Sequence, residues 1–354
     1  MMLAVGGPLR EFFISPGDAR IMGLEPGKSK DELVSSLITE HFSCPERSVS
    51  PAVYILLYVC SAAVVLLTVC GNLLVIISVL HFKQLHTPTN MLLLSLAVSD
   101  FLVGALIMPP VFIWTMESCW IMGSMYVWST AGFLMALSIY NVVLIAFDRC
   151  LALFNPFLYL NKVSVRKMCV VIFCNWCMVL GYDLALIYVN GNLTRPEMCP
   201  GECLFILDEV LSTIDLVVTF IFPLSVIIIL YTQVFVIAKK HATAIRELNN
   251  HTRPKTQKIT SHSMKSERKA AKVLGILVSV FLMCLLPCYI YCLLGDIIEL
   301  QAETFQKVTI VFCLNSTINP VIYALFYPWF RRCVKLIITL QIFQTDSALI
   351  NVLS

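Results

Sequence analysis

The stretch LSTIDLVVTFIFPLSVIIILYTQVFVIA, from Leu211 to Ala238, decides the fold class of this chain. A helix that crosses a bilayer needs about 20 apolar residues at a rise of 1.5 Å each, and this run is longer than that. It contains one acidic residue, Asp215, on its first turns, with Pro223 and Tyr231 further along. A carboxylate at membrane depth costs roughly 2.5–3.5 kcal/mol even on a lenient insertion scale, so Asp215 is predicted to have a function.

The whole chain has the composition of a membrane protein. Of its 354 residues, 58% are hydrophobic and 13% are charged, and the mean hydropathy is +0.84. Soluble domains carry about 25% charged residues. Helices are expected for every apolar segment, because lipid offers unpaired backbone groups no partner. Seven such segments lie at about 52–81, 89–115, 123–152, 168–190, 206–238, 269–295 and 304–327.

We therefore predict an all-α membrane protein with three regions. Residues 1–50 form an extracellular N-terminal region, residues 51–327 a seven-transmembrane helix bundle, and residues 328–354 a cytoplasmic interfacial helix and tail. The run YPWFRRCVKLIITL mixes basic and apolar residues at helical spacing, which predicts a short amphipathic eighth helix that begins at Pro328. Its Cys333 is either a lipidation site or an unmodified thiol.

The distribution of Lys and Arg predicts the orientation. Basic residues gather in the first, third and fifth connections and in the tail, whereas acidic residues prevail in the opposite connections. Cytoplasmic loops carry the excess of Lys and Arg, so we expect a multi-pass plasma-membrane protein with an extracellular N-terminus. The sequon Asn192-Leu193-Thr194 lies in a predicted extracellular connection and is a candidate glycosylation site.

Isolated polar residues inside the apolar segments predict a polar interior. Such residues usually face the interior of a helix bundle and hydrogen-bond there. Converging, they could hold a small cation such as sodium, or they could only join the helices. They are Asn72, Asp100, Ser138, Asn315, Ser316 and Asn319.

A charge pair across the inner ends of two helices is a candidate switch. The triplet Asp148-Arg149-Cys150 lies at the inner end of the third segment, and Glu267 begins the sixth. A pair between Arg149 and Glu267 that is made and broken would give the bistable element that switching needs. The alternative is a solvated contact without a role.

Several motifs resemble the rhodopsin-like G-protein-coupled receptors in order and spacing. They are GNLLVI (Gly71–Ile76), LAVSD (Leu96–Asp100), Asp148-Arg149, Trp176, Pro223 with Tyr231, Pro287 and NPVIY (Asn319–Tyr323). Finer features resemble the trace amine-associated receptors, especially those of fishes: HFKQLHTPTN (His81–Asn90), CPGEC (Cys199–Cys203), ERKAAKVLGI and NSTINPVIYALFYPWF (Asn315–Phe330). The resemblance covers about residues 44–340.

The resemblance implies an olfactory receptor for small biogenic or trace amines. Its partners would be the amine, the lipid bilayer and a heterotrimeric G protein of the stimulatory or olfactory type, which raises cyclic AMP. No cofactor and no nucleic acid is expected. The activation switch would comprise Asp148, Arg149, Glu267, Tyr231, Asn319, Pro320 and Tyr323.

The sequence departs from this family where relatives bind the ligand ammonium. Relatives place an aspartate in the third helix, eighteen residues before Arg149, and that position is Ala131 here. Asp215 offers a replacement, because it lies eight residues before Pro223, about 12 Å toward the outside at helical rise. A carboxylate in a low-dielectric pocket attracts an ammonium strongly and accepts a charge-assisted hydrogen bond from it. The alternative is that Asp215 pairs internally.

The predicted ligand site contains further residues around Asp215. Asp183 either binds the second amine of a diamine or hydrogen-bonds between helices. Small or aromatic side chains would form the rest of the site, namely Ala131, Cys288, Tyr289 and Cys313.

The extracellular cysteines complete the expectations that come from the resemblance. It implies a disulfide between Cys44 and Cys199. Cys203 would normally bond to the third helix, but that position is Ser124, so Cys119–Cys203 is expected instead.

Other classes of protein fit the sequence less well. A retinal protein needs a lysine in the core of the seventh segment, and Lys307 lies at its outer edge. A membrane transporter should show repeats with broken helices, and none is visible. No His-based or nucleophile motif of an enzyme appears in the bundle. The remaining alternative is a receptor of the same family that has lost amine recognition and binds a non-amine ligand or none.

Overall fold

The computed structural model describes residues 50–117, 124–154, 156–194, 208–251, 275–291, 302–344 and 346–353. Those residues are almost entirely helical, which confirms the predicted all-α fold. The membrane helices are α1 (Pro51–His81), α2 (Pro88–Leu102, a π-helical turn at Val103–Ile107, and Met108–Glu117), α3 (Ser124–Phe154), α4 (Val165–Thr194), α5 (Glu209–Leu216, a π-helical turn at Val217–Ile221, and Phe222–His251), α6 (Gly275–Tyr291) and α7 (Ala302–Phe326). An eighth helix, α8, spans Pro328–Ile338.

The helices match the predicted segments closely, with one clear difference. By length and composition, six of the described helices can cross a membrane, and α6 is a shorter apolar helix over its described part. Helix α5 continues beyond the predicted apolar segment 206–238 and ends at His251. The apolar span ends at Ile237, and the helix then continues in a polar sequence. The length of an apolar segment gives only the part of a helix that crosses the hydrocarbon core, and the helix can extend beyond it.

Helix α3 lies at the centre of the bundle. It packs against α2, α4 and α5, and it is largely buried, as are α2 and α7. Helices α1, α4 and α5 expose most of their apolar residues, which is expected where lipid is the solvent. The main core cluster contains buried side chains from several helices, including Leu92, Ile145, Phe281 and Tyr323.

A close contact between α1 and α7 depends on a glycine. A Cβ atom placed on Gly71 would lie 2.8 Å from Cβ of Pro320, so a side chain at Gly71 would push α7 away. Pro320 has no N–H, which leaves the carbonyl of Ser316 without its usual helical partner. The Asn72 amide donates a hydrogen bond to that Ser316 oxygen at 3.0 Å, and another to Thr68 O at 3.0 Å. Two residues of the GNLLVI motif thus hold the proline turn of NPVIY.

The start of α8 at Pro328 agrees with the prediction, and its cysteine is buried. Arg331 donates from Nη1 to the carbonyls of Ala324 and Leu325 at the end of α7, at 2.9 Å each. Cys333 is fully buried, with an exposed fraction of 0%, and burial raises the pKa of its thiol to about 11. A buried, protonated thiol is a poor nucleophile for acylation. The burial of Cys333 favours the unmodified thiol of the two alternatives, and lipidation stays an untested prediction.

Several predicted residues lie outside the described part of the chain. They are Glu267 and the cysteines of both expected disulfides, Cys44, Cys119, Cys199 and Cys203. The backbone of Asn192 lies in the last turn of α4, and its side chain is outside the description.

Candidate functional site

Asp215 is a buried carboxylate near the outer end of α5. The helix begins at Glu209, and the Asp208 side chain caps it by accepting a hydrogen bond from Val210 N at 3.2 Å. Asp215 lies two turns further on and is only 3% exposed. Its Oδ1 accepts a hydrogen bond at 3.2 Å from the hydroxyl of Tyr182 on α4. This bond is an internal partner of the kind that the sequence left open as the alternative, and the ligand role of Asp215 stays a prediction.

A π-helical turn lies directly after Asp215. It spans Val217–Ile221 and ends with an i→i+5 bond from Phe222 N to Val217 O. The wider turn inserts one residue into the helix and so rotates Asp215 relative to Pro223, which the assumption of a straight helix missed. The hydroxyl of Tyr140 on α3 donates to Val218 O at 2.9 Å. Short π-helical turns of this kind are frequent at functional sites.

Asp183 on α4 lies near Asp215. The hydroxyl of Ser129 on α3 donates to Oδ2 of Asp183 at 3.4 Å, and Asp183 is mostly buried. Asp183 follows Tyr182 directly in α4, and Tyr182 is the residue that bonds Asp215. The structure therefore brings the two predicted acids together where α3, α4 and α5 meet. The signal for their partners was weak, since Ser129 and Tyr182 are single polar residues in apolar segments.

The other predicted ligand contacts form two separate groups. Tyr289 stacks on Phe220, with ring centroids 3.4 Å apart and planes at 11°, and meets Phe312 edge-on at 6.5 Å. Phe220 is five residues beyond Asp215, so this aromatic group lies deeper along α5. Ala131 and Cys313 are instead buried in an apolar cluster formed with α2. Cys288 belongs to the main core cluster.

The polar residues of the interior converge around Asp100, as predicted. Its two carboxylate oxygens accept hydrogen bonds from Ser316 Oγ at 2.8 Å and from Asn319 Nδ2 at 2.6 Å. Ser138 Oγ donates to Ser99 Oγ at 3.1 Å. These bonds join α2 to α7 and to α3.

A narrow cavity next to this network has the chemistry of a cation site. Its polar lining is Ser138, Asn315 and Ser316, and its apolar lining includes Phe281 and Phe312. Oδ1 of Asn315 is buried and accepts no hydrogen bond from the described residues. Carboxylate, hydroxyl and amide oxygens are ligands that hard cations prefer. Ser138 and Asn315 of the predicted sodium site line this cavity, whereas Asp100 and Asn319 bond to each other beside it, so the sodium site stays a prediction.

Asp148, near the C-terminal end of α3, accepts hydrogen bonds from three residues. Thr89 Oγ1 donates to Oδ2 at 2.8 Å, and Tyr159 donates to Oδ1 at 2.6 Å. Arg149 donates from Nε to Oδ2 at 3.0 Å and forms a salt bridge with it through Nη2. Burial and the bond to Asp148 raise the pKa of Tyr159 to about 12, so Tyr159 is a neutral donor at physiological pH.

Two predicted switch tyrosines have buried hydroxyl groups. Within the described residues, neither Tyr231 on α5 nor Tyr323 on α7 has a hydrogen bond at its hydroxyl. The ring of Tyr323 packs edge-on against Tyr327 and Phe330. A buried hydroxyl without a partner is costly, so both are expected to bond in another arrangement of the helices.

Comparison of the sequence with known proteins finds one matching family model and several similar receptors. The family model of rhodopsin-family seven-transmembrane receptors matches residues 71–323. The chain is 36% identical over 320 residues to trace amine-associated receptor 13c of Danio rerio, covering 87% of this chain and 93% of that receptor. It is 35% identical to trace amine-associated receptor 1 of Macaca mulatta, covering 87% and 95%. It is 36% identical over 326 residues to trace amine-associated receptor 9 of Mus musculus, covering 88% and 92%.

Proposed function

Because the chain belongs to the rhodopsin family of seven-transmembrane receptors, and within it to the trace amine-associated receptors, we propose that it detects small amines through Asp215. Members of this family are multi-pass membrane receptors with ligand and G-protein partners, and they are not enzymes. The finer assignment concerns which carboxylate receives the ammonium group.

The burial of Asp215 is the observation that carries this proposal. An ammonium that enters the space between α3, α4 and α5 meets a carboxylate that is 3% exposed, where the attraction between opposite charges is screened far less than in water. The Tyr182 hydroxyl orients the carboxylate from α4. The Tyr289–Phe220 stack lies deeper along α5 and would give the rest of the ligand an aromatic wall.

Removal of the charge at Asp215 tests the proposal directly. Asp215→Asn keeps the shape and the hydrogen bond from Tyr182, and it removes only the negative charge. Loss of one partner of a buried charge pair costs about 2–5 kcal/mol, so the amine concentration for half-maximal response should rise at least thirtyfold. A panel of amines is measured in cells with a cyclic AMP reporter, together with the amount of receptor at the surface. Unchanged potency at equal surface expression would refute the role of Asp215.

Asp183 supports a more specific ligand class. Asp183 is a second buried carboxylate, next in sequence to the tyrosine that bonds Asp215, so a diamine is the ligand that the two acids would favour. The bond from Ser129 supports the other role, an interhelical contact. Asp183→Asn separates them: a ligand role reduces the response to diamines much more than the response to monoamines. An equal reduction for both, with lower thermal stability, indicates the interhelical role.

The proposed signalling step begins at Asp148 and Arg149. Amine binding would favour an arrangement in which Arg149 leaves Asp148 and contacts a G protein of the stimulatory or olfactory type, which raises cyclic AMP. Glu267 is the proposed partner that holds α6 before activation. Cells that lack stimulatory G-protein α subunits should lose the response, and their re-expression should restore it. Staining of olfactory sensory neurons with a specific antibody tests the olfactory role.

The proposed topology and disulfides have separate tests. An antibody against an N-terminal tag should label intact cells if the N-terminus is extracellular in the plasma membrane. A glycosidase should reduce the apparent mass through Asn192, and Asn192→Gln should abolish that change. Peptide mapping without reduction should find Cys44–Cys199 and Cys119–Cys203; any other pairing would refute the assignment.

A receptor for a non-amine ligand is the second candidate. The position where relatives hold their aspartate is Ala131, and the structure places it with Cys313 in an apolar cluster. Such a receptor would respond to no member of the amine panel while reaching the surface, and Asp215→Asn would leave any constitutive signal unchanged. A potent amine response from the unmodified receptor excludes this candidate.

A further inference from the structure

The segment after α8 folds back onto the inner end of α1. Two 3₁₀ turns, Gln341–Phe343 and Ser347–Leu349, follow the helix. Ser347 Oγ and His81 Nε2 are hydrogen-bonded at 3.0 Å, and Val352 N donates to the Gln84 side chain at 3.2 Å. Val352 is only 2% exposed. The segment is therefore docked on the first intracellular connection.

Two residues with left-handed backbone conformation make this path possible. Leu340 has φ 56° and Asp346 has φ 64°, and each reverses the direction of the chain before a 3₁₀ turn. A leucine rarely adopts this conformation, and such residues persist where the surrounding contacts enforce them. The contact from Arg332 Nη1 to Asn351 O, at 3.3 Å, adds a link back to α8. The fold of this segment is thus specified by contacts with α1 and α8.

Half of the exposed side chains from residue 338 onward are large and apolar, although polar residues such as Gln344 and Asp346 lie between them. Phe343 is 79% exposed, the largest value among the exposed large apolar side chains of the described residues. Four others on the same segment are also more than half exposed: Ile338, Leu340, Leu349 and Leu353. Large apolar side chains in such number on a short segment mark a surface that binds a partner.

The position of this surface identifies lipid as the partner. The segment docks on the end of α1, whose outer side presents exposed Leu73 and Leu80 to the bilayer. The apolar surface therefore continues the lipid-facing side of α1. Helix α8 adds charge complementarity, because its three basic residues, Arg331, Arg332 and Lys335, are all exposed and lie within about a third of its circumference. Basic side chains beside apolar ones are typical of interfacial binding to anionic lipids.

We propose that residues 338–353 form a lipid-binding strap, in which Ile338, Leu340, Phe343, Leu349 and Leu353 enter the acyl region of the leaflet. The basic side of α8 meets anionic headgroups at the same surface. His81, Gln84 and the buried Val352 fix the strap to the bundle, so the strap sets the depth and tilt of α8. This role does not depend on the identity of the ligand.

Quenching by brominated lipid tests this proposal on the full receptor. An environment-sensitive fluorescent amino acid replaces Phe343, or the neighbouring exposed Gln344 as a control, in receptor reconstituted into lipid nanodiscs. Bromine on the acyl chains should quench the probe at position 343 at least twice as strongly as the probe at 344. A third probe at Leu349 should behave like that at 343. Thermal unfolding midpoints equal to that of the parent establish that each labelled receptor is folded.

The remaining outcomes separate lipid from a protein partner. Lys335→Gln should reduce the quenching at 343 in discs that contain phosphatidylserine and leave it unchanged in phosphatidylcholine alone. Equal quenching at 343 and 344 would overturn the proposal. So would a probe at 343 that becomes apolar only when purified heterotrimeric G protein is added, without quenching by bromine, because that result identifies a protein partner.

Discussion

The hydroxyl of Tyr140 on α3 donates a hydrogen bond to the backbone oxygen of Val218 in the π-helical turn of α5, at 2.9 Å. A π turn leaves the ordinary i→i+4 pattern, and a side chain from another helix that satisfies its carbonyls stabilises it. The Val218 carbonyl lies three residues beyond Asp215. The central helix thus holds the turn that sets the orientation of the proposed ligand carboxylate.

Tyr140→Phe should weaken amine binding without touching the ligand. The variant leaves the Val218 carbonyl without this donor, at a cost of about 1–3 kcal/mol, so the thermal unfolding midpoint falls and amine affinity falls several-fold. Ligand binding and thermal unfolding of purified receptor check both effects. Tyr188→Phe is the control, because Tyr188 on α4 is 73% exposed, and it should change neither quantity.

Gly71→Ala should destabilise the receptor by displacing α7. The new methyl group would lie 2.8 Å from Cβ of Pro320, and overpacking of this kind costs about 1–3 kcal/mol. Thermal unfolding in detergent measures the loss. Gly181→Ala is the matched control, since nothing lies within 4 Å of a Cβ there, and its midpoint should be unchanged or slightly higher. Equal midpoints for the two variants would contradict the close contact of α1 and α7.

Asp148→Asn should increase signalling in the absence of ligand. The Asp148 carboxylate forms a salt bridge with Arg149. Removal of the charge at Asp148 weakens this salt bridge and frees the Arg149 side chain. Basal cyclic AMP, normalised to surface expression, should rise several-fold. Asp346→Asn serves as the control, because Asp346 is exposed and asparagine tolerates its left-handed backbone conformation. A basal signal equal to that of the parent would show that the Asp148–Arg149 pair does not restrain activation.

Sodium should reduce agonist affinity through the polar cavity. The ion would bind the arrangement described above, in which Arg149 is paired, and so oppose the signalling state. Replacement of sodium by a bulky organic cation should raise agonist affinity several-fold in the parent receptor. Asn315→Ala should abolish this dependence while preserving the hydrogen bonds that Asp100 accepts. Agonist affinity that is independent of sodium in the parent would refute the cation site.

Much of the fold followed from apolar length and a few marker residues. Lipid forces every long apolar segment into a helix, so the helices and the start of α8 at Pro328 could be predicted without any knowledge of packing. The end of α5 could not, because the polar residues up to His251 are helical for reasons that apolar length does not capture. The role of Cys333 was also open, since an interfacial thiol and a buried thiol look the same in sequence.

The hydrogen-bond partners of Asp215 and Asp183 could not be predicted from the sequence. The cost of a buried charge singled out Asp215 as soon as the segment was identified. Tyr182 and Ser129 touch the two carboxylates because α3, α4 and α5 meet at that level, and single polar residues give no sign of the helix they will face. Their positions depend on the rotation of each helix about its own axis.

By itself, therefore, the sequence determined the class of the protein, the number of its membrane helices and the carboxylate that needs a partner, because these follow from the cost of placing each residue in lipid. Tertiary structure decided which face of each helix meets which neighbour. The π-helical turn after Asp215, the Tyr140 bond that stabilises it, and the folding of the C-terminal segment onto His81 arise from contacts between residues far apart in the chain. Such contacts are selected by packing and hydrogen bonding in three dimensions, and local sequence does not encode them.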